Sequence, residues 1–116
     1  MGQMSGTTFL HFINNSFVAS TPERYFDKHS PVDGSLLGSI AEGGAPEVDA
    51  AVGAARAGLQ GPWGRMSLAQ RSEMLYAVAR EIDRRFDDFL DAEVADTGKP
   101  RSIASHVDIP DRKSVV

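Results

Sequence analysis

Cysteine is absent from the 116 residues. Disulfides, a thiolate metal site and a cysteine nucleophile are therefore excluded within this chain. No apolar run approaches the ~20 residues that cross a bilayer. Residues 1–8 are small and polar and lack the basic and apolar stretches of a secretory leader. They read as a disordered N-terminus, and a cytoplasmic location is the expectation. Clustered basic charge is missing as well. Twelve Lys and Arg stand against sixteen Asp and Glu, and the densest pair, Arg84-Arg85, runs into Asp87 and Asp88. That is a solvated helix face, so neither nucleic acid nor a membrane is expected as partner. His11, His29 and His106 share no metal-ligand spacing and read as structural or surface residues.

What is present is a clean division between strand and helix signals. Phe9 to Ile13 is rich in β-formers, Asn14-Asn15 tolerates left-handed backbone, and Phe17-Val18 resumes the apolar character. The pattern predicts a two-residue hairpin. Tyr25 to His29 predicts a third strand, Val32-Asp33-Gly34-Ser35 a turn, and Leu36 to Ile40 a fourth strand. Helical spacing begins after Gly43-Gly44. Pro46 suits the first helical position, and Glu47 and Asp49 favour the positive end of the helix dipole. Val48, Ala51, Val52, Ala55 and Leu59 form one apolar stripe on a helix from about Pro46 to Gln60. Gly61-Pro62-Trp63-Gly64 reads as a break.

Ser67 and Gln70 make a capping-box pattern that starts a second helix. Its buried stripe is expected to be Met74, Leu75, Val78, Ala79 and Ile82. Phe86, Phe89, Leu90 and Val94 continue an apolar face beyond a break near Arg84 to Phe86. Gly98 stops this third helix at about Thr97, with Pro100 beyond, and Ser102 to Ile109 begins a fourth. Lys99 lacks the upstream glycines of a phosphate loop and reads as helix-stop chemistry. Glu73, Glu81, Glu93 and Asp87-Asp88 fall mostly on solvent faces, so none is assigned acid-base work. Trp63 reads as a hydrophobic plug for its loop.

Three stretches, in order, carry a resemblance. Phe12-Ile13-Asn14-Asn15-Ser16-Phe17-Val18 resembles the opening segment of the aldehyde dehydrogenase superfamily. Ser30-Pro31-Val32-Asp33-Gly34 with Leu37-Gly38 resembles its strand–turn–strand, and Asp96-Thr97-Gly98-Lys99-Pro100 resembles a later segment. The helix containing Val48-Asp49-Ala50-Ala51-Val52 lies between them, as in that family. Gly61-Pro62-Trp63-Gly64 and Ala104-Ser105-His106-Val107-Asp108-Ile109-Pro110 narrow the likeness to the 2-hydroxymuconic and 2-aminomuconic semialdehyde dehydrogenases. Asn15 departs from the family, which has Gly there; Asn is the next best residue at positive φ.

The resemblance implies an α/β protein, α+β within this segment, whose residues 9–110 are strands and flanking helices of a larger enzyme. It implies a cysteine thiolate that attacks an aldehyde, hydride transfer to NAD(P)+, and thioester hydrolysis by a glutamate-activated water. None of those positions lies in this sequence. No catalytic or cofactor-binding residue is therefore assigned here. NAD, a small semialdehyde substrate and a homo-oligomeric parent enzyme are the expectations. In relatives a structural monovalent cation sits near the third strand, which maps to backbone oxygens of Lys28 and His29 and to Asp96. The plainer reading of Asp96 is a carboxylate bonded to nearby backbone. Residues 111–116 depart from the family and match the translation of a sequencing adaptor, so they read as a non-native tail. The rival to the enzyme reading is a free-standing, non-catalytic α+β domain that binds a partner through its alanine-rich helix.

Overall fold

Two asparagines with positive φ, Asn14 at 50° and Asn15 at 62°, turn the chain between β2 (His11–Ile13) and β3 (Ser16–Val18). This is the expected hairpin, with His11 opposite Val18 and Phe12 opposite Phe17. Both φ values suit the primed turn that matches strand twist. The computed structural model describes residues 6–111. Residues 1–5 and 112–116, which belong to the expected N-terminal and C-terminal tails, lie outside the described residues.

The run expected as one strand, Phe9 to Ile13, is two. β1 (Thr7–Phe9) ends at Leu10 and pairs in parallel with β5 (Leu36–Ala41), while β2 turns to its own hairpin. Thr7 and Thr8, expected in the disordered N-terminus, are therefore strand residues. The reason is a long-range contact that local pattern does not encode. Gly38 is buried, and a Cβ there would sit 2.4 Å from the Thr7 carbonyl oxygen and 2.9 Å from the Phe9 ring. Only glycine lets β1 lie so close. β4 (Tyr25–His29) pairs antiparallel on the other side of β5. The mixed sheet, in the order β1-β5-β4, aligns Phe9, Ile40 and Phe26 across its width.

The first helix, α1, spans Ala45–Gln60, so Pro46 is its second residue, where the missing amide is still one of the orphan donors. The expected break falls at Gly61, which ends α1 in extended conformation, and beyond it Pro62–Arg65 form a separate helical turn, α2. α3 (Leu68–Arg84) starts on the predicted capping box. The Ser67 hydroxyl accepts from the Gln70 amide at 3.2 Å, and the Gln70 side chain accepts from the Ser67 amide at 2.8 Å. Arg85, with φ −107° and ψ 29°, separates α3 from α4 (Phe86–Thr97). Gly98 ends α4 in left-handed conformation, its amide donating to the Val94 carbonyl at 2.9 Å. The fourth helical segment is α5 (Arg101–Ile103), running directly into a π-helical turn, Ala104–Asp108. Asp111, the described part of the expected tail, is helical.

The chain divides into two compact units. Described residues 6–29 and 34–65 belong to one, and 30–33 and 66–111 to the other. In the second unit the core is Leu90, Ala104 and Ile109, with Ile82, Phe86 and Val94 packed against it. The expected buried stripe of α3 needs correction. Ala79 and Ile82 are half-buried, but Met74, Leu75 and Val78 are exposed. Helical period places them together, and the described residues supply no partner element to cover them. Among the described residues no helix is long and apolar enough to cross a membrane.

Candidate functional site

The residues proposed for a cation lie at element ends. Lys28 and His29 close β4, and the register against β5 shifts between them. A shift of this kind takes backbone groups out of the regular ladder. The His29 ring reaches back to the Gly34 carbonyl through Nδ1 at 3.1 Å. Asp96 stands in the last turn of α4, two residues before Gly98. Lys28 and His29 belong to one unit and Asp96 to the other, and each is engaged in polar interactions of its own. Among the described residues no group of three or more His, Cys, Asp or Glu side chains could hold a metal ion.

A buried polar cluster that composition did not signal lies in the first unit. Glu47 is the third residue of α1, and its carboxylate accepts from the Gly44 amide at 2.8 Å and from the Thr21 amide at 2.7 Å. The first bond is one half of a capping box; Gly44 has no side chain to supply the other. These two amides, Gly44 first and Thr21 second, hold the carboxyl below its ordinary range, and burial opposes them. Next to Thr21, the buried Ser20 hydroxyl donates to the Glu42 carbonyl and meets His11 Nε2 at 2.9 Å. The Arg24 carbonyl accepts from the Glu42 amide at 2.9 Å, and Arg24 Nε lies 3.8 Å from the Glu42 carboxylate. The cluster ties segment 20–24 to the end of β5 and the start of α1. A Thr/Ser pair followed 26 residues later by a helix-start Glu gives no local pattern, so sequence reasoning could not assemble it.

The remaining polar candidates are structural. Lys99 follows the Gly98 stop and pairs with Asp108 at 2.9 Å and Glu93 at 3.9 Å, binding the π-helical turn to α4. Asp108 uses one oxygen for this; its Oδ2 is buried without a partner among the described residues. Arg101 pairs with Asp91 and Asp87 on α4. His106 Nδ1 bonds the Ser102 carbonyl at 2.7 Å. Glu73 pairs with Arg80, Glu81 with Arg84, and Asp88 with Arg85, all on exposed surface. Exposed pairs of this kind contribute little to stability. Trp63 is 38% exposed on α2 and so is not the buried plug its sequence neighbours suggested. What this arrangement does chemically is hold backbone in place.

Comparison with known proteins gives this scaffold its setting. The sequence profile of the Aldehyde dehydrogenase family matches residues 17–116, a span that extends past Pro110. The 2-hydroxymuconic semialdehyde dehydrogenase of Pseudomonas sp. (strain CF600) is 55% identical over 100 residues, covering 86% of this chain and 21% of that protein. The 2-aminomuconic 6-semialdehyde dehydrogenase of a Pseudomonas sp. is 44% identical over 102 residues, covering 88% and 20%. The NAD+ complex of the aldehyde dehydrogenase from Bacillus cereus superposes with a TM-score of 0.85 at 31% identity, over 90% of this chain and 21% of that one. This chain thus spans about one fifth of the length of the curated relatives it matches. The profile, the relatives and the superposition agree, and the chain belongs to the aldehyde dehydrogenase family.

Proposed function

We propose that this chain is the N-terminal segment of an NAD-dependent enzyme that oxidises 2-hydroxymuconic semialdehyde to the corresponding acid in aromatic-ring catabolism. The observation that carries the substrate is the identity to the hydroxymuconic enzyme, which exceeds that to the aminomuconic one. The segment's part is to position: strands β1 to β5 and helices α1 to α5 form scaffold, and chemistry belongs to residues beyond it. The parent enzyme is cytoplasmic and homo-oligomeric, and takes small aldehydes as partners, with neither nucleic acid nor membrane involved. In it the backbone oxygens of Lys28 and His29, at the β4–β5 register shift, are donors of the kind a hard monovalent cation takes.

The test is a fusion in which residues 9–110 replace the matching segment of the hydroxymuconic enzyme from strain CF600. The fusion is expected to reduce NAD+ with 2-hydroxymuconic semialdehyde in preference to simple aliphatic aldehydes. A folded fusion without that activity overturns the reading of this segment as the scaffold of such an enzyme. A free-standing interaction domain, by contrast, would give no active fusion.

A further inference from the structure

Ala104 and Ile109 both lie in the core of the second unit, packed with Leu90 and no more than 2% exposed. They are five residues apart, and an α-helix would set such a pair about 140° from one another around its axis. The chain between them winds wide instead. The Ile109 amide donates to the Ala104 carbonyl, five residues back, across the π-helical turn Ala104–Asp108. A turn of this kind holds one residue more than an α-helical turn. Ile109 thereby takes the place that the fourth residue after Ala104 holds in an α-helix. Asp108, which α winding would put in that place, stays beside Lys99 at 2.9 Å.

The surplus lies on the outer side of the turn, where His106 and Val107 are exposed, Val107 at 57%. The Ser102 carbonyl meets His106 Nδ1 at 2.7 Å and accepts from the Ser105 hydroxyl at 3.0 Å. Side chains three and four residues on reach a carbonyl in this way from a plain α-helix as well. Without Val107, the Ala104 carbonyl and the Ile109 amide would stand four residues apart, as in an ordinary α-helical bond, and Asp108 would remain beside Lys99. The core therefore does not call for the extra residue. A poorer winding, kept where a plain helix would bury the same side chains, points to a functional position.

We propose that the surplus residue serves the reaction of the assembled enzyme rather than the fold, with the wide turn as a positioning element. This inference rests on the enzyme reading above. It is the winding that positions, not the Val107 side chain, and the two are separable.

Deletion of Val107 in the fusion with the strain CF600 enzyme tests this. The deletion is expected to leave thermal unfolding unchanged and to lower kcat/KM for the semialdehyde at least about tenfold, on the scale that small misplacements cost. Val107→Ala, which trims the side chain but keeps the length, should retain most of the activity. A folded deletion variant as active as the undeleted fusion overturns the proposal. An equal loss in Val107→Ala also overturns it, because the effect then belongs to the side chain. Pro110 is one obstacle to α winding, since its ring would press on the carbonyl four residues back, so the deletion is also made with Pro110→Ala. Failure of both deletion variants to fold shows that the fold needs the turn, and overturns the proposal. A folded but inactive undeleted fusion counts against the enzyme reading, and the proposal falls with it.

Discussion

Glu47 and Thr21 are 26 residues apart, and the Thr21 amide donates to the Glu47 carboxylate at 2.7 Å while the same carboxylate caps α1 at Gly44. One side chain thus fixes both the start of a helix and the segment after the hairpin. Its folded-state pKa is lowered, so its contribution is present above the ordinary carboxylate range and is lost as pH falls through the lowered value. Glu47→Gln keeps the shape but turns a donor toward one of the two amides. The variant should melt earlier than the parent near neutral pH by far-UV circular dichroism, and the gap should close in strong acid. An equal gap at both pH values would show that charge is not the cause.

Ser67→Ala removes the acceptor for the Gln70 amide at the head of α3. A loss of roughly 0.5–2 kcal/mol is expected in urea unfolding of the folded fusion with the strain CF600 enzyme. Ser67→Asp, which keeps an acceptor, should recover most of it. An unchanged midpoint in Ser67→Ala would mean that solvent serves the amide equally well.

Gly98 sits at φ 69°, and a Cβ there would meet Pro31 Cγ at 3.0 Å and Val32 Cγ2 at 3.2 Å. Left-handed backbone alone costs a residue with Cβ about 1–2 kcal/mol, and the close contacts add to it. Gly98→Ala should therefore lower stability by at least ~1 kcal/mol, read from the same denaturation curves. Equal stability of the variant would show that α4 can end elsewhere.

The chain alone should oxidise no aldehyde, because it has no cysteine to attack one. The check is NADH absorbance with NAD+ and a panel of semialdehydes. Turnover above a protein-free control would mean that another group here does chemistry.

Helix should persist in the isolated chain, but urea unfolding should be broad and association should rise with concentration. The exposed apolar faces at Val48 to Leu59 and at Met74, Leu75 and Val78 call for cover. Sedimentation across a concentration series measures this. A monodisperse monomer with a sharp two-state transition would favour a complete, free-standing domain.

Features set by neighbours in the chain were legible in the amino-acid order. The Asn14-Asn15 turn, the Ser67 cap, the break at Arg85 and the Gly98 stop all depend on backbone angles or amides within four residues, and each stands where its residue types require. The family itself was legible too, in the order of three short segments that the profile and relatives bear out. Tertiary structure decided what crosses long separations. It split Phe9 to Ile13 between two sheets because β1 finds Gly38 in β5. It joined His11, Ser20, Glu42 and Glu47 into one polar cluster. It also decided which apolar stripes are covered. Periodicity tells a helix which residues share a face, but burial needs a second surface, and for α1 and the middle of α3 the described residues provide none.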